Sequence, residues 1–348
     1  MSYKDPIFES AYLREVLDQP KALALTLERL EITPGLRSVT TRMKEGKFRR
    51  IVLTGMGSSL HALYPLHLEL TEEGYTSIIA ETSELIHYLT RLLDPSTLIV
   101  AVSQSGESAE IVRLLEDNAG RATIVGVTNT PGGALASRAN CVLLTHAGIE
   151  SSVSCKTYVT ALMALRLLAS VLCDHDAERE RSDLSQAIPA AEAYLGLWEQ
   201  HVAELHVTLG DVRHWILVGR GPSLATTNTG ALTIEESIRV PAEGMSSAAF
   251  RHGPIEMLGP ETFVLVFSGD KKGRDLNESL HDNVRELGYR SGLIGEHLDG
   301  AFRLPPAPAG VRTILEIMPV QMLIVALAAR IGIEPGRFAI ASKTTTRE

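Results

Sequence analysis

Short apolar runs alternate with helix-patterned stretches along most of this chain. Between about residues 8 and 47, in YLREVLDQPKALALTLERL, apolar residues recur at helical spacing, and Pro20 should break or kink the stretch. RRIVLTG then reads as a buried strand entering Gly55, with SSLHALYPLHLEL as the helix after it. TSIIAE, STLIVAVS, ATIVGVT and CVLLT are further short apolar runs, separated by helical stretches such as ESAEIVRLLEDNA. Strands alternating with helices predict a parallel sheet covered on both faces. Residues about 156–208 read as long helices with a charged interruption, DHDAERERSDL, which marks a domain boundary. HWILVG starts the pattern again at Gly219, FVLVFS, SGLIG and AFRLP read as later strands, and VRTILEIMPVQMLIVALAARIG as the closing helix. EPGRFAIASKTTTRE has no clear period and reads as a tail.

The pattern repeats internally. IVLTGMGSSLHAL and ILVGRGPSLATT both run strand, G-x-G-x-S-L, helix, and Gly57/Gly221, Ser59/Ser223 and Leu60/Leu224 keep one offset. LIVAVSQSG and FVLVFSGDKKG lie at almost the same offset. Two copies of one α/β unit are expected. The segments expected are an N-terminal helical segment over 1–35, a first domain over 36–180, a second over 181–335, and a tail over 336–348.

Composition adds mainly exclusions. The chain has 348 residues, 45% hydrophobic and 22% charged, which suits two globular domains. A formal charge of −9 argues against nucleic acid or an anionic membrane as a main partner. The N-terminus shows no signal-peptide pattern, and no apolar run reads as long as a membrane span. Cys141, Cys155 and Cys173 form no CxxC pair, and the 11 histidines include no HExxH. A reduced, cytoplasmic chain without a metal is expected.

The richest chemistry lies in Ser103-Gln104-Ser105-Gly106-Glu107-Ser108, between the end of one strand and the start of a helix. Ligands of open α/β sheets bind at such carboxyl ends, and a helix N-terminus offers free N–H groups suited to phosphate. A plain Ser-rich N-cap with a capping-box Glu107 would need only one hydroxyl. Gly55–Ser59 is a second strand-to-helix turn. A dinucleotide fingerprint there, with Glu81 as the ribose acid, would want glycine where Leu60 stands. The second copy writes SGDKKGR in place of the serine turn, so phosphate is expected on the first domain. The second copy has instead GALTIEESIRVPAEG and FRHGP. Glu235 reads as a solvated residue, and His252 lies on a turn, where a lone histidine is usually incidental. A Glu and a His are nevertheless a usual proton-transfer pair beside a carbonyl.

GMGSS, SQSGES, AGIESSVSCKTY, GALTIEESIRVPAEG, FRHGP and ASKTTTRE, in that order, resemble the sugar isomerase (SIS) family. Over about residues 36–348 the chain is similar to the isomerase half of glucosamine-6-phosphate synthase and to its short relatives, amino-sugar-phosphate deaminases and fructosamine-6-phosphate deglycases. The resemblance implies two tandem SIS domains, each a parallel sheet flanked by helices in a flavodoxin-like three-layer sandwich. It implies that Ser103, Gln104, Ser105 and Ser108 hold the phosphate, and that Gly57, Ser58, Ser59, Val153 and Ser154 line the sugar. Glu236 would move a proton between C1 and C2. His252 would promote ring opening from the neighbouring subunit of a homodimer, and Lys343 would be a substrate lysine. No cofactor is implied.

Three departures point away from making glucosamine phosphate from glutamine: no glutamine-cleaving domain with its cysteine nucleophile, Thr233 where the synthase has lysine, and a SSVSCKTY segment closer to the short relatives. The expected activity is aldose–ketose isomerisation with deamination of an amino-sugar 6-phosphate. A fructosamine-6-phosphate deglycase would use the same residues. A non-catalytic sugar-phosphate sensor is the alternative outside enzymes.

Overall fold

The structure is a computed structural model that describes residues 6–340 and 342–345. The parts of the N-terminal and tail segments at 1–5, 341 and 346–348 lie outside the described residues. The chain first folds as α1 (Ala11–Leu17), whose N-cap Ser10 hydroxyl accepts the Leu13 N–H. The helix stops at Asp18 and a new one runs Gln19–Arg29, with Pro20 at its second position. There the missing N–H costs nothing, so the proline separates two helices rather than kinking one.

Two compact units divide the chain, and neither is continuous in sequence. One holds residues 21–149, 156–185 and the end of the chain from 341. The other holds 1–20, 150–155 and 186–340.

The first of these is built on five parallel strands: β1 (Arg50–Gly55), β2 (Ser77–Glu81), β3 (Thr97–Val102), β4 (Thr123–Thr128) and β5 (Cys141–Leu144), in the order β2-β1-β3-β4-β5. Every residue of β3 and β4 is buried, which is why these strands read as unbroken apolar runs. Val52, Ile99, Ala101 and Ile124 pack on Leu85 and on Ile111 and Leu114 of α2 (Ala109–Asn118). α3 (Lys156–Leu172) is buried along nearly its whole length. The order reverses between β1 and β3, so the turns leaving these two strands face the same crevice.

The second unit has four parallel strands: β6 (His214–Gly219), β7 (Ala242–Ser246), β8 (Thr262–Phe267) and β9 (Arg290–Ile294), in the order β7-β6-β8-β9. This is the order of the first four strands again. β7, with sequence AEGMS, is an edge strand without apolar alternation and was not legible as a strand. α4 (Leu224–Ile238) follows β6, and α5 (Arg274–Glu286) lies between β8 and β9. AFRLP, expected as a strand, is a 3-10 turn at Gly300–Phe302 with a single bridge from Gly295 to Arg303. Pro305, Pro306 and Pro308 follow it and cannot donate to a ladder.

The closing helical stretch corrects a second expectation. Residues Ala309–Ile331, ending in α6 (Ile317–Ile331), form a 23-residue helical stretch whose most apolar part has a mean hydropathy of 1.9, long and apolar enough to cross a membrane. However, 83% of its most apolar stretch is buried inside the fold, so it serves as a core helix. Gln19 donates to Gln321 of α6 at 2.8 Å and accepts from it at 3.2 Å, tying the N-terminal segment to this unit.

Candidate functional site

The turn after β3 is shaped by its own hydroxyls. Ser103 Oγ accepts the Gly106 N–H at 3.1 Å, and Ser105 Oγ accepts the Glu107 N–H at 3.2 Å. Gly106 has φ of +66°, and a side chain there would press on Thr128 Oγ1 and Leu135. The Gln104 carbonyl accepts from Asn129 N–H at 3.0 Å and Thr128 Oγ1 at 3.2 Å, which fixes the turn against its neighbour. Glu107 does not close a capping box on its own helix. Its carboxylate accepts the Ala134 N–H at 2.6 Å, at the start of the next helix.

Ser108 is the N-cap of α2, yet its hydroxyl makes no capping bond. The Ala109 N–H donates to the carbonyl of Thr345 at 3.1 Å. The tail segment of Lys343 therefore docks at the helix start that carries the serine turn. The helix leaves its next amides without a backbone acceptor in its first turn. With the dipole's positive end, they form a ready anion seat.

The turn after β1 sits beside it. A Cβ on Gly55 would come within 2.9 Å of the Val102 carbonyl, so only glycine permits the two turns to approach. Gly57 has φ of +51°, and Ser58 and Ser59, both half-buried, open a short helix. Glu81 stands opposite Gly55 in the β1–β2 register and is exposed.

The corresponding turn of the second sheet differs. Asp270 accepts the N–H groups of Lys272 and Gly273 at 3.0 and 3.1 Å, so the chain's own carboxylate fills the seat before α5. Nearby, Ser223 Oγ donates to buried Glu316 at 2.8 Å, and the other Glu316 oxygen has no partner. Burial pushes the Glu316 carboxyl up to about 7 against the opposing effects of Ser223 and Arg312.

Glu236 lies near the end of α4 and is half-buried, while Glu235 is exposed. Around it the same unit gathers several groups that the sequence had not marked. Tyr12 is fully buried with its hydroxyl unpartnered. Burial and then the neighbouring acidic groups Cys155, Glu150 and Glu236 hold its phenol well above the usual range. The Cys155 N–H and thiol both donate to Glu150, at 3.0 and 3.2 Å. Glu15 anchors the segment before Val153 and Ser154. Its carboxylate accepts Ser151 N–H at 2.5 Å, Ser151 Oγ at 2.8 Å, Ser152 N–H at 3.1 Å, and the Ser152 hydroxyl. Gly336 links the two parts: it donates to the Ser237 carbonyl and accepts the Val153 N–H, each at 3.3 Å. Tyr12 and Glu15 read in the sequence only as parts of an amphipathic helix. The one hint was a glutamate one position from the buried Val16.

The expected residues therefore fall in two groups. Gly57, Ser58, Ser59, Ser103, Gln104, Ser105, Ser108 and Lys343 belong to the unit of the first sheet. Val153, Ser154, Glu236 and His252 belong to that of the second. His252 is exposed at the end of a short helix and makes no side-chain hydrogen bond among the described residues.

Residues 47–171 match the family model of the SIS domain. The chain is 30% identical over 357 aligned positions to glutamine–fructose-6-phosphate aminotransferase [isomerizing] of Pyrococcus horikoshii, covering 98% of this chain but only 58% of that protein. The fold is shared with the C-terminal domain of glucosamine-fructose-6-phosphate aminotransferase from Francisella tularensis, at a TM-score of 0.81 and 20% identity, covering 94% of this chain and 98% of the other. It is shared too with glucosamine-6-phosphate deaminase from Thermotoga maritima, at 0.75 and 18%, covering 97% and 100%. The serine turn, the glycine turn and all five strands of the first sheet fall within residues 47–171, the segment that matches the SIS domain.

Proposed function

We propose that the chain is a phosphosugar isomerase that deaminates an amino-sugar 6-phosphate to a ketose 6-phosphate and ammonia. The observation that carries this reading is the contrast between the two turns. The N-terminus of α2 keeps a Ser108 hydroxyl that makes no capping bond beside it, whereas Asp270 fills the equivalent seat before α5. A phosphate dianion suits the first and is repelled from the second.

In this reading Ser103, Gln104, Ser105 and Ser108 hold the phosphate, and Gly57, Ser58, Ser59, Val153 and Ser154 line the sugar. His252, contributed by the second chain of a homodimer, assists ring opening to the C1 aldehyde. Glu236 takes the C2 proton to give an enolamine and returns it at C1, leaving an imine at C2. Water adds at C2 and ammonia departs. Lys343 contacts the substrate from the tail. Phosphate binding remote from C1 and C2 supplies orientation at the reacting carbons. The relatives' names support a sugar 6-phosphate as the substrate class, and a cytoplasmic role in amino-sugar metabolism accords with it.

The test is a panel of amino-sugar and fructosamine 6-phosphates, with ammonia, free amine and ketose phosphate measured together. Ammonia and ketose phosphate in equal amounts from an amino-sugar phosphate are expected. Release of an amino acid from the fructosamines alone would make the chain a deglycase. Glu236→Gln should lower kcat by at least ~10²-fold with KM little changed, while exposed Glu235→Gln stays within a few-fold.

A further inference from the structure

The carboxyl ends of β8 and β9 open into a cavity of about 360 Å³, inside the second unit. Ser268 and Gly269 form its wall at the end of β8, and Gly295 to Leu298 its wall at the end of β9. α5 contributes Arg274, Glu278 and Asp282, four residues apart and therefore on one helix face. Open parallel sheets bind ligands at this end of their strands.

The charges are not all free. Arg312 gives both Nε and Nη2 to one oxygen of Glu296, at 3.0 and 2.8 Å, and Nη1 to the Gly269 carbonyl at 3.3 Å. That pair is neutral and leaves the second Glu296 oxygen as an acceptor. Glu278 accepts Ser268 Oγ at 2.6 Å through one oxygen. The side chains of Arg274 and Asp282 are in no hydrogen bond or ion pair among the described residues. What remains is one guanidinium against two carboxylates. Behind them Glu316, fully buried and with one oxygen unpartnered, adds a further acidic group that feels both Arg312 and Glu296.

This balance selects the ligand. A phosphate would meet a net negative charge, and the Lys272 and Gly273 amides of the turn before α5 are already taken by Asp270. A protonated amine would bring the local charge to zero. Arg274 supplies donors beside the acceptors of Glu278 and Asp282, which suits neighbouring hydroxyl groups. The volume holds a monosaccharide-sized molecule. No group of three or more His, Cys, Asp or Glu among the described residues could hold a metal ion, so the carboxylates are not a cation cage.

We propose that this cavity binds a small hydroxylated primary amine, of the chemical class of an unphosphorylated amino sugar. The site is distinct from the serine turn and does not depend on the function proposed above.

Calorimetric titration of the full chain with D-glucosamine tests it. Saturable binding is expected, weakened at least about tenfold by Asp282→Asn, because an ammonium–carboxylate hydrogen bond becomes a neutral one. The Asp282 side chain makes no hydrogen bond among the described residues, so this variant should melt as the wild type does. Ser103→Ala with Ser105→Ala should leave the affinity unchanged, and D-glucose, without the amine, should bind at least about tenfold more weakly. No heat up to about 50 mM glucosamine, a limit far weaker than a working site would need, would overturn the proposal. So would equal affinity in Asp282→Asn, equal binding of glucose, or loss of binding in the double serine variant.

Discussion

Replacing Glu15 with glutamine tests whether α1 sets the segment that carries Val153 and Ser154. One carboxylate there accepts four hydrogen bonds, from the N–H and hydroxyl of Ser151 and of Ser152. A glutamine keeps one oxygen for the two Ser151 donors and turns its NH₂ toward those of Ser152, so two bonds are lost. Bonds to a charged group contribute about 1.5–3 kcal/mol each when buried. Glu15 is half-buried, and solvent screening cuts that by roughly half, leaving about 2 kcal/mol for the pair. At about 2–4 °C per kcal/mol for a domain of this size, Tm at pH 7 should fall by about 4–8 °C.

The pH profile discriminates further. Burial pushes the Glu15 carboxyl up, but the bonds from Ser151 and Ser152 outweigh it and bring the net value below the usual 4.5. The unfolded chain then takes up the proton at a higher pH than the folded chain. The stabilisation is complete above the ordinary carboxylate range and disappears as pH falls through the lower folded value. Melting curves of both chains, at matched ionic strength from pH 7 downward, should show a gap that closes with acid. A gap within about 1 °C at pH 7, or one that stays constant with pH, would refute the anchoring role.

Three other outcomes are expected. Ser103→Ala with Ser105→Ala should raise KM at least about tenfold, read in steady-state kinetics, and lower Tm by a few degrees, since each hydroxyl also accepts an N–H of the turn. Mixing inactive Glu236→Gln chains with inactive His252→Ala chains should restore part of the activity if His252 completes a neighbour's site; proven subunit exchange without recovery would exclude that arrangement. Glu316→Gln keeps the Ser223 bond and removes a carboxyl whose folded value is raised to about 7. A raised folded value destabilises increasingly as pH climbs above the unfolded value and fully above 7. The variant should therefore be more stable than wild type by about 3 kcal/mol at pH 8, with almost no difference near or below about pH 4, by denaturant titration.

Much of this protein could be read from local pattern. The strands of the first sheet are legible because both faces are covered, so burial turns each into an unbroken apolar run such as TLIVAV. The serine turn is legible because an anion seat needs small hydroxyl residues and a glycine consecutively, on one strand-to-helix junction. Pro20 and the repeat of G-x-G-x-S-L at Gly55 and Gly219 are local in the same sense. β7 escaped because an edge strand owes its existence to β6 beside it and needs no apolar alternation of its own. AFRLP misled for the converse reason: an apolar run suggests a strand, but the ladder needs a partner along its length, and here only Arg303 finds one. The apolar stretch to Ile331 illustrates the same limit, since composition cannot say whether a core or a membrane will cover it. Tertiary structure alone decided that Glu15 holds Ser151 and Ser152, that Tyr12 is buried near Glu236, and that Asp270 fills its own turn. Each depends on residues brought together across long sequence separations or on a side chain turned toward one particular amide, and neither leaves a period or a motif in the chain.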